Sequence, residues 1–227
     1  MKLRFGTLKS LESKSTFRFK RRAVMRIYDI IISLLIGYCF GLVHPAYTLG
    51  KMAKGIDIRS GGSNNSGASN ATIMLGWKYG AITALIDILK GTLAILFGRY
   101  FLQYNDILLF IIGIGVIIGH DFPFYMNFKG GKGTASFIGI FLGLNPILGF
   151  MLGGTIIVTT IITDYIALGT IVMYIVATII TFFNYPMIST IMVFILTLLT
   201  ISKHWNNVIK IKNKTEIGLR STLKRKK

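Results

Sequence analysis

Long apolar stretches separated by short polar loops are the feature that most constrains the fold of this chain. An α-helix needs about 20 consecutive, mostly apolar residues to cross the hydrocarbon core of a bilayer. Of the 227 residues, 52% are hydrophobic and 15% are charged, and the mean hydropathy is +0.63. This composition is too apolar for an ordinary water-soluble domain. The sequence therefore predicts an all-α integral membrane protein.

Seven apolar segments are candidates for transmembrane helices. They are residues 27–49, 78–99, 106–119, 133–144, 146–163, 165–183 and 187–202. The third, fourth, fifth and seventh have 18 residues or fewer, so we expect them to tilt, to pair or to end part-way across the bilayer. About seven transmembrane helices are expected in total.

The charge of the chain is strongly basic and concentrated in its two tails. Lys and Arg number 26 against 8 Asp and Glu, a formal net charge of +18. We therefore divide the chain into a basic N-terminal extension (1–26), a membrane domain (27–202) and a basic C-terminal tail (203–227). The sequence contains no recognisable nucleic-acid-binding module. The tails are therefore expected to attract anionic membrane lipids, or only to fix the topology of the membrane protein.

The positive-inside rule predicts which loops face the cytoplasm. The loops at 51–79 and 120–132 and the C-terminal tail carry most of the cations, so a multi-pass protein of the cell membrane with cytoplasmic active-site loops is expected. Seven spans would then place the N-terminus outside, against the basic character of residues 1–26. Three explanations stay open: translation begins at Met25, one segment does not cross, or a signal peptide is removed, although no clear cleavage site follows the first apolar stretch.

Cysteine and histidine do not indicate a metal site. Cys39 is the only cysteine and lies in an apolar segment. His44, His120 and His204 are far apart in the sequence, and none has a second ligand at metal spacing on a shared helix face. No metal and no cofactor are expected.

The first candidate motif is a loop of small, hydroxyl and amide residues. Residues 61–70 read Gly-Gly-Ser-Asn-Asn-Ser-Gly-Ala-Ser-Asn. Such a loop can turn backbone N–H groups and hydroxyls toward an anion. The alternative is a flexible polar linker.

The second candidate motif combines glycines with two lysines. Residues 119–123 read Gly-His-Asp-Phe-Pro and residues 128–134 read Phe-Lys-Gly-Gly-Lys-Gly-Thr. An apolar helix follows at once, so free N–H groups and the helix dipole would favour phosphate. It is not a Walker A loop, because Gly133 and not Ser or Thr follows Lys132. The alternative is a glycine hinge with two interfacial lysines.

The third candidate motif lies at the inner end of the last apolar segment, where residues 202–207 read Ser-Lys-His-Trp-Asn-Asn. His204 and Asn207 are three apart, so they share one face of a continuing helix. A merely interfacial histidine is the alternative.

In the second segment Asp87 and Lys90 are also three apart, and we expect them to form a structural ion pair inside the membrane.

Together these motifs resemble the bacterial acyl-phosphate:glycerol-3-phosphate acyltransferase family, known as PlsY. Its members have a Gly-Ser-Gly-Asn-x-Gly-Ala-Thr-Asn loop, a Gly-His-x-x-Pro then Lys-Gly-Gly-Lys-Gly loop, and a C-terminal His-x-x-Asn. The similarity runs from about Ser33 to Glu216, and its most specific pieces are residues 54–63, Asp87 with Lys90, and residues 119–133. The resemblance implies a seven-helix membrane enzyme, acting as a monomer without metal or cofactor, that transfers a fatty acyl group from acyl phosphate to the 1-hydroxyl of sn-glycerol 3-phosphate and makes lysophosphatidic acid.

The resemblance also implies the site. Ser63 and His204 are the expected catalytic residues. The expected substrate- and phosphate-binding residues are Gly62, Asn65, Gly67, Asn70, His120, Lys129, Gly130, Gly131, Lys132, Gly133 and Asn207. Backbone amides of residues 61–67 and 129–133 would stabilise the oxyanion and the leaving phosphate. Either His204 with Ser63 orients or deprotonates the attacking hydroxyl, or a substrate phosphate takes that proton.

Several residues depart from the family pattern. Ile73 stands where the family has an Arg, and an expected Arg-Tyr-x-Ser-Leu-x-Ser becomes Asp164-Tyr-Ile-Ala167-Leu-Gly-Thr170. In the first loop Asn64 replaces a Gly and Ser69 replaces a Thr. A divergent paralogue with weak activity or a different phosphorylated acceptor is therefore one alternative, and a small transporter or channel is another. The His-x4-Asp signature of acyl-CoA-dependent acyltransferases follows none of the three histidines.

Overall fold

The structure is a computed structural model that describes residues 27–224. The predicted N-terminal extension and the Met25 start lie outside the described residues. The described residues fall into two units that meet between Ile32 and Ser33, and of the first unit only the beginning of one helix is described. Within the described range, every regular element is helical.

The α-helices follow one another along the described part of the chain with short connections. They are α1 (Ile27–Gly41), α2 (Pro45–Lys54), α3 (Ala68–Leu75), α4 (Trp77–Leu96), α5 (Asp106–Asp121), α6 (Thr134–Leu144), α7 (Pro146–Thr163), α8 (Ile166–Asn184), α9 (Met187–Lys212) and α10 (Leu219–Lys224). Single 3-10 turns occur at Ile58–Ser60 and Phe124–Met126, and a π-helical segment at Phe97–Phe101 continues α4.

Six helical stretches in the described part are long and apolar enough to cross a membrane. They are Ile27–Lys54, Trp77–Phe101, Asp106–Met126, Pro146–Thr163, Ile166–Asn184 and Met187–Lys212. The helix α6 is also apolar but has only 11 residues. The predicted all-α membrane fold with about seven helices is confirmed, and α6 is the one that stays short.

Two predicted segments differ from the observed helices. The stretch 27–49 is not one helix, because α1 ends at Gly41 and Pro45 begins α2. Proline suits the first helical position, where its missing N–H is not needed, but it cannot continue a helix. The last segment does not end at residue 202, because α9 continues to Lys212. The boundary drawn between the membrane domain and the tail therefore falls inside α9.

Glycines allow two pairs of helices to approach closely. A Cβ at Gly37 or Gly41 would collide with the backbone of α5 beside Gly115 and Gly119 respectively. Along these contacts the residue numbers of α1 and α5 increase in the same direction, so this part of α1 runs parallel to α5. Small residues at helix contacts are the usual way in which membrane helices pack. A Cβ at Gly139 of α6 would likewise collide with the backbone of α4.

The helix α5 forms the centre of the bundle, since 12 of its 16 residues are buried. The outer helices instead expose large apolar side chains, such as Phe150 at 74% and Phe183 at 76%. That surface suits lipid and would be unfavourable in water. The connections α5–α6 and α7–α8, together with the C-terminal half of α9, lie at one end of the bundle. We call it the loop end.

Candidate active site

The three candidate motifs meet at the loop end. The backbone N–H of Ser66 donates to the carbonyl of Gly130 at 3.4 Å, which joins the first loop to the second. The ammonium of Lys132 donates to the side-chain oxygen of Asn207, which joins the second loop to α9. Segments separated by 64 to 75 positions in the sequence therefore form one site.

Two asparagines shape the first loop. The Asn70 side chain is fully buried; it accepts from the N–H of Ser63 at 2.8 Å and donates to the carbonyls of Ile58 and Asn65 at 2.7 and 2.8 Å. The Asn65 amide donates to the Ser63 hydroxyl at 3.0 Å and accepts from the N–H of Gly67 at 2.9 Å. These amides are used within the loop, so Asn65 and Asn70 hold its shape, and Ser63 keeps its own hydroxyl hydrogen available for a ligand.

The second loop is shaped in a similar way. The N–H of Gly130 donates to the carbonyl of Asp121 at 3.1 Å, and that of Gly131 to the carbonyl of His120 at 3.0 Å. A Cβ at Gly131 would collide with the His120 ring. Both glycines are thus required for close approach, and their amides are not available to a ligand.

The structure narrows the set of amides that can face a ligand. In the two loops the N–H groups of Ser63, Asn64, Ser66, Gly67, Lys129, Gly130 and Gly131 all donate within the protein. In the described part, no acceptor is found for the N–H groups of Gly61, Gly62, Asn65, Lys132 and Gly133. Gly133 has a φ of 69° and immediately precedes α6, whose first N–H groups lack helical acceptors. These groups and the start of α6 form the anion-binding part of the candidate site.

His120 lies in the interior and not on the surface of the site. Only 3% of it is exposed, and its Nδ1 is 2.7 Å from the Lys90 ammonium. Lys90 forms the predicted ion pair with Asp87 at 2.7 Å, which is confirmed, and donates to the carbonyl of Val43 at 2.6 Å. His120 therefore supports the Gly130–Gly131 backbone from beneath, and its expected contact with a substrate stays a prediction.

One buried contact had no signal in the sequence. The His44 ring stacks on His120 with the centroids 5.0 Å apart, although 76 positions separate the two residues. The Nδ1 of His44 is 3.1 Å from the hydroxyl of Ser66, which is fully buried. His44 thus links His120, which lies beneath the second loop, to Ser66 of the first loop. Among the described residues, no group of three or more His, Cys, Asp or Glu side chains could hold a metal ion.

His204 and Asn207 lie one turn apart on α9, as the spacing predicts. The Nδ1 of His204 faces the carbonyl of Thr200 at 3.0 Å. A carbonyl only accepts, so Nδ1 carries the hydrogen and Nε2 is the nitrogen that can accept a proton. The Asn207 amide donates to the carboxylate of Glu216 at 2.6 Å while its oxygen accepts from Lys132.

The environment of Lys132 changes its acidity. The pKa of its ammonium is lowered from 10.5 to about 8, mainly by burial; Lys203 and Lys210 act in the same direction, whereas Glu216 and Asp121 act in the opposite one. Among residues 27–224 its hydrogen-bond partner is one neutral oxygen, that of Asn207, so this half-buried cation is well suited to receive an anion.

Two cavities lie at the loop end. One of about 460 Å³ is lined by Asp57, Arg59, Ser60, Asn64, Met126, Asn127 and Lys129. The guanidinium of Arg59 donates to the carbonyls of Met126 and Lys129 at 2.7 and 3.0 Å, and its bond to Asp57 holds the pKa of that carboxyl below its usual value. The other cavity, about 370 Å³ and almost wholly apolar, is lined by Ile156, Ile157, Thr160, Ile161, Ile166 and Leu219.

The positions that depart from the family pattern also lie near the loop end. The side chain of Ile73 lies beside Gly62, as a Cβ on that glycine would be 3.4 Å from it. Ala167 is 6% exposed at the start of α8. Thr170, one turn on, keeps a hydroxyl at 3.4 Å from that of Thr134.

Comparison with known proteins identifies the family. The model of the glycerol-3-phosphate acyltransferase family matches residues 31–214. Glycerol-3-phosphate acyltransferase 1 of Oceanobacillus iheyensis is 42% identical over 207 residues, which is 88% of this chain and 99% of that protein. The glycerol-3-phosphate acyltransferase of Bacillus subtilis is 36% identical over 187 residues, covering 82% of this chain and 96% of that protein.

The fold agrees with these sequence matches. The crystal structure of PlsY (YgiH), an integral membrane glycerol 3-phosphate acyltransferase, in its glycerol 3-phosphate form matches with a TM-score of 0.78 and 27% identity, covering 84% of this chain and 95% of that one. Its lysophosphatidic acid form matches with a TM-score of 0.76. The transporter alternative is set aside by these matches, and the chain belongs to the glycerol-3-phosphate acyltransferase family.

Proposed function

We propose that this protein transfers a fatty acyl group from acyl phosphate to the 1-hydroxyl of sn-glycerol 3-phosphate, at a site on the cytoplasmic side of the membrane. The observation that carries the proposal is the convergence of Lys132 and Asn207 with the polar first loop at one end of an apolar bundle. A cation and free amides suit the phosphates, and the apolar cavity of about 370 Å³ suits an acyl chain. The positive-inside rule supports the cytoplasmic placement, because the lysine-rich connections lie at this end.

The reaction needs a base, an oxyanion partner and a place for the leaving phosphate. The oxygen of the 1-hydroxyl of glycerol 3-phosphate attacks the acyl carbonyl carbon, and the new ester bond forms. The bond between this carbon and the phosphate oxygen then breaks, and its electron pair leaves with the phosphate. In our proposal Nε2 of His204 accepts the hydroxyl proton. The Ser63 hydroxyl and the free N–H groups of Gly62, Lys132 and Gly133 stabilise the oxyanion and the departing phosphate.

The test uses the full chain in lipid nanodiscs with palmitoyl phosphate and labelled glycerol 3-phosphate. Lysophosphatidic acid formed by the parent and lost in Ser63→Ala and His204→Ala supports the proposal. Asn184→Ala, which removes an exposed amide at the end of α8 opposite the loop end, is the control and keeps activity. Palmitoyl-CoA in place of palmitoyl phosphate distinguishes the donors, and product from the thioester alone would contradict the acyl-phosphate assignment.

A second candidate function is supported by Ile73. Because its side chain lies beside Gly62, an Arg at this position would bring a guanidinium to the first loop, and a bidentate cation is what a phosphate prefers. Its absence favours an acceptor other than glycerol 3-phosphate. If the parent turns over almost no glycerol 3-phosphate and Ile73→Arg raises this turnover, the altered-acceptor function gains support. If the parent and the variant both turn over glycerol 3-phosphate at the same substantial rate, that function is excluded.

A further inference from the structure

The segment after α9 turns back onto the bundle and touches two parts of the candidate site. We call residues 216–220 the strap. At its first residue, the carboxylate of Glu216 accepts from the Asn207 amide at 2.6 Å. At its last residues, the N–H of Leu219 donates to the backbone carbonyl of Asp164 at 2.8 Å, and the N–H of Arg220 donates to the Asp164 carboxylate at 2.7 Å. The strap therefore connects α9 with the α7–α8 connection.

Asp164 is the anchor of the strap. It has a φ of 74°, which is a left-handed conformation. Glycine adopts this conformation most readily, and Asp and Asn adopt it more readily than most of the other residue types. Gly218 lies so close to the Asp164 carboxylate that a Cβ there would collide with it. The anchor is thus a close backbone contact and not only a charge pair.

The guanidinium of Arg220 adds little to this anchor. Its Nε is 4.0 Å from the Asp164 carboxylate, and 69% of the Arg220 side chain is exposed. An exposed ion pair of this kind is weak because water screens it. The N–H of Arg220, which any residue at this position except proline provides, makes the shorter bond.

The two ends of the strap reach groups of different chemistry. Through Glu216 it holds Asn207, whose oxygen accepts from Lys132, so this end borders the phosphate-binding cation. Leu219 is part of the wall of the apolar cavity of about 370 Å³ between α7 and α8. One short segment thus borders both the Lys132–Asn207 pair and an apolar cavity at the same end of the bundle.

We propose that Asp164 is a positioning residue which, through the strap, sets the affinity for both substrates: glycerol 3-phosphate through Glu216 and Asn207, and the acyl chain of the donor through Leu219. This inference rests on the proposed function. Asp164 stands where the resemblance predicts an Arg, so the strap contact is a feature of this chain's own residues. Because the anchor lies between the two ends, removing the bond from the Arg220 N–H to the Asp164 carboxylate weakens the hold on both, whereas a change at either end affects one substrate.

The decisive comparison is between Asp164→Gly and Asp164→Asn. Both residues accept a positive φ, but only Asn keeps an oxygen that can accept from the Arg220 N–H. We expect Asp164→Gly to raise the KM for glycerol 3-phosphate and for palmitoyl phosphate by about tenfold each, as loss of a hydrogen bond to a charged group implies, with a smaller change in kcat. Asp164→Asn stays close to the parent.

Three further variants separate the two ends. Glu216→Ala raises only the KM for glycerol 3-phosphate, and Leu219→Ala raises only that for palmitoyl phosphate. Arg220→Ala is the control: it keeps the N–H, removes an exposed guanidinium, and changes both KM values by no more than about twofold. Hydrogen exchange of the Arg220 amide, fast in Asp164→Gly and slow in Asp164→Asn, reports the anchor without reference to activity.

The result that overturns the proposal is an Asp164→Gly variant with exchange at Arg220 accelerated but with one or both KM values unchanged. Unchanged exchange at Arg220 in that variant would overturn the anchor itself. Lack of lysophosphatidic acid in the parent would instead be a failure of the proposed function. In that case calorimetric Kd values for glycerol 3-phosphate and palmitoyl phosphate replace KM, and a Gly variant that binds both as tightly as the parent rejects the inference.

Discussion

The ammonium of Lys132, in the loop before α6, donates a hydrogen bond to the side-chain oxygen of Asn207 on α9. This contact closes the site across 75 positions of sequence. It also leaves the lysine charge unneutralised by its immediate partner, because an amide oxygen carries no net charge. The carboxylate of Glu216 is one step further away, on the other side of the Asn207 amide.

The first prediction concerns that charge. Lys132→Met is expected to weaken glycerol 3-phosphate binding by about 10- to 100-fold, the value of one hydrogen bond between charged groups. Asn207→Ala is expected to weaken it less, since the ammonium remains. Steady-state kinetics with separately varied substrates measures both effects, and equal losses in the two variants would mean that the lysine acts only through the asparagine.

The second prediction is a pH dependence. Burial lowers the pKa of Lys132 to about 8, so in the free enzyme its charge is present below pH 8 and is lost as the pH rises through that value. The kcat/KM for glycerol 3-phosphate should therefore fall above about pH 8, and not near 10.5 as for an exposed lysine. Lys132→Arg stays charged throughout and should lose this alkaline limb. A limb that persists unchanged in the Arg variant would belong to another group.

The third prediction tests the loop-shaping role of Asn70. Asn70→Ala leaves three backbone groups of residues 58, 63 and 65 without their partner, and the protein is expected to lose about 2–3 kcal/mol of stability. Asn70→Asp keeps the acceptor for Ser63 but places a buried carboxylate oxygen against the two carbonyl oxygens, so a loss at least as large is expected. Thermal unfolding in detergent gives the stabilities. Parent-like stability in the Ala variant would show that the loop is not held by this side chain.

The fourth prediction concerns the contact between Gly131 and His120. Gly131→Ala places a methyl group against the imidazole ring, so it should destabilise the fold and reduce activity. His120→Ala removes the ring and should reduce the additional cost of Gly131→Ala in the double variant. Unfolding data for the two single variants and the double variant form the test cycle. Strict additivity would mean that the two residues do not interact.

The membrane helices could be predicted well because their signal is local. The segment 146–163 agrees at both ends with α7, where Asn145 and Pro146 mark the start and Asp164 the end. The break between α1 and α2 was missed, although Pro45 signals it, because the apolar character continues across it. The hydropathy pattern likewise predicts an end at residue 202, whereas α9 continues to Lys212, because a helix can extend beyond the apolar stretch that crosses the membrane.

The sequence by itself determined the apolar helices, the polar loops between them and the residue types of the site. The tertiary structure decided which of those residues are free to act. It buried His120 beneath the glycines, used most of the loop amides inside the loops, and brought His44 to Ser66 and Asp164 to the strap. The physical reason is range: length, hydropathy and turn chemistry act over a few neighbouring residues, whereas each of these contacts joins groups that only the packing of separate helices and loops brings together.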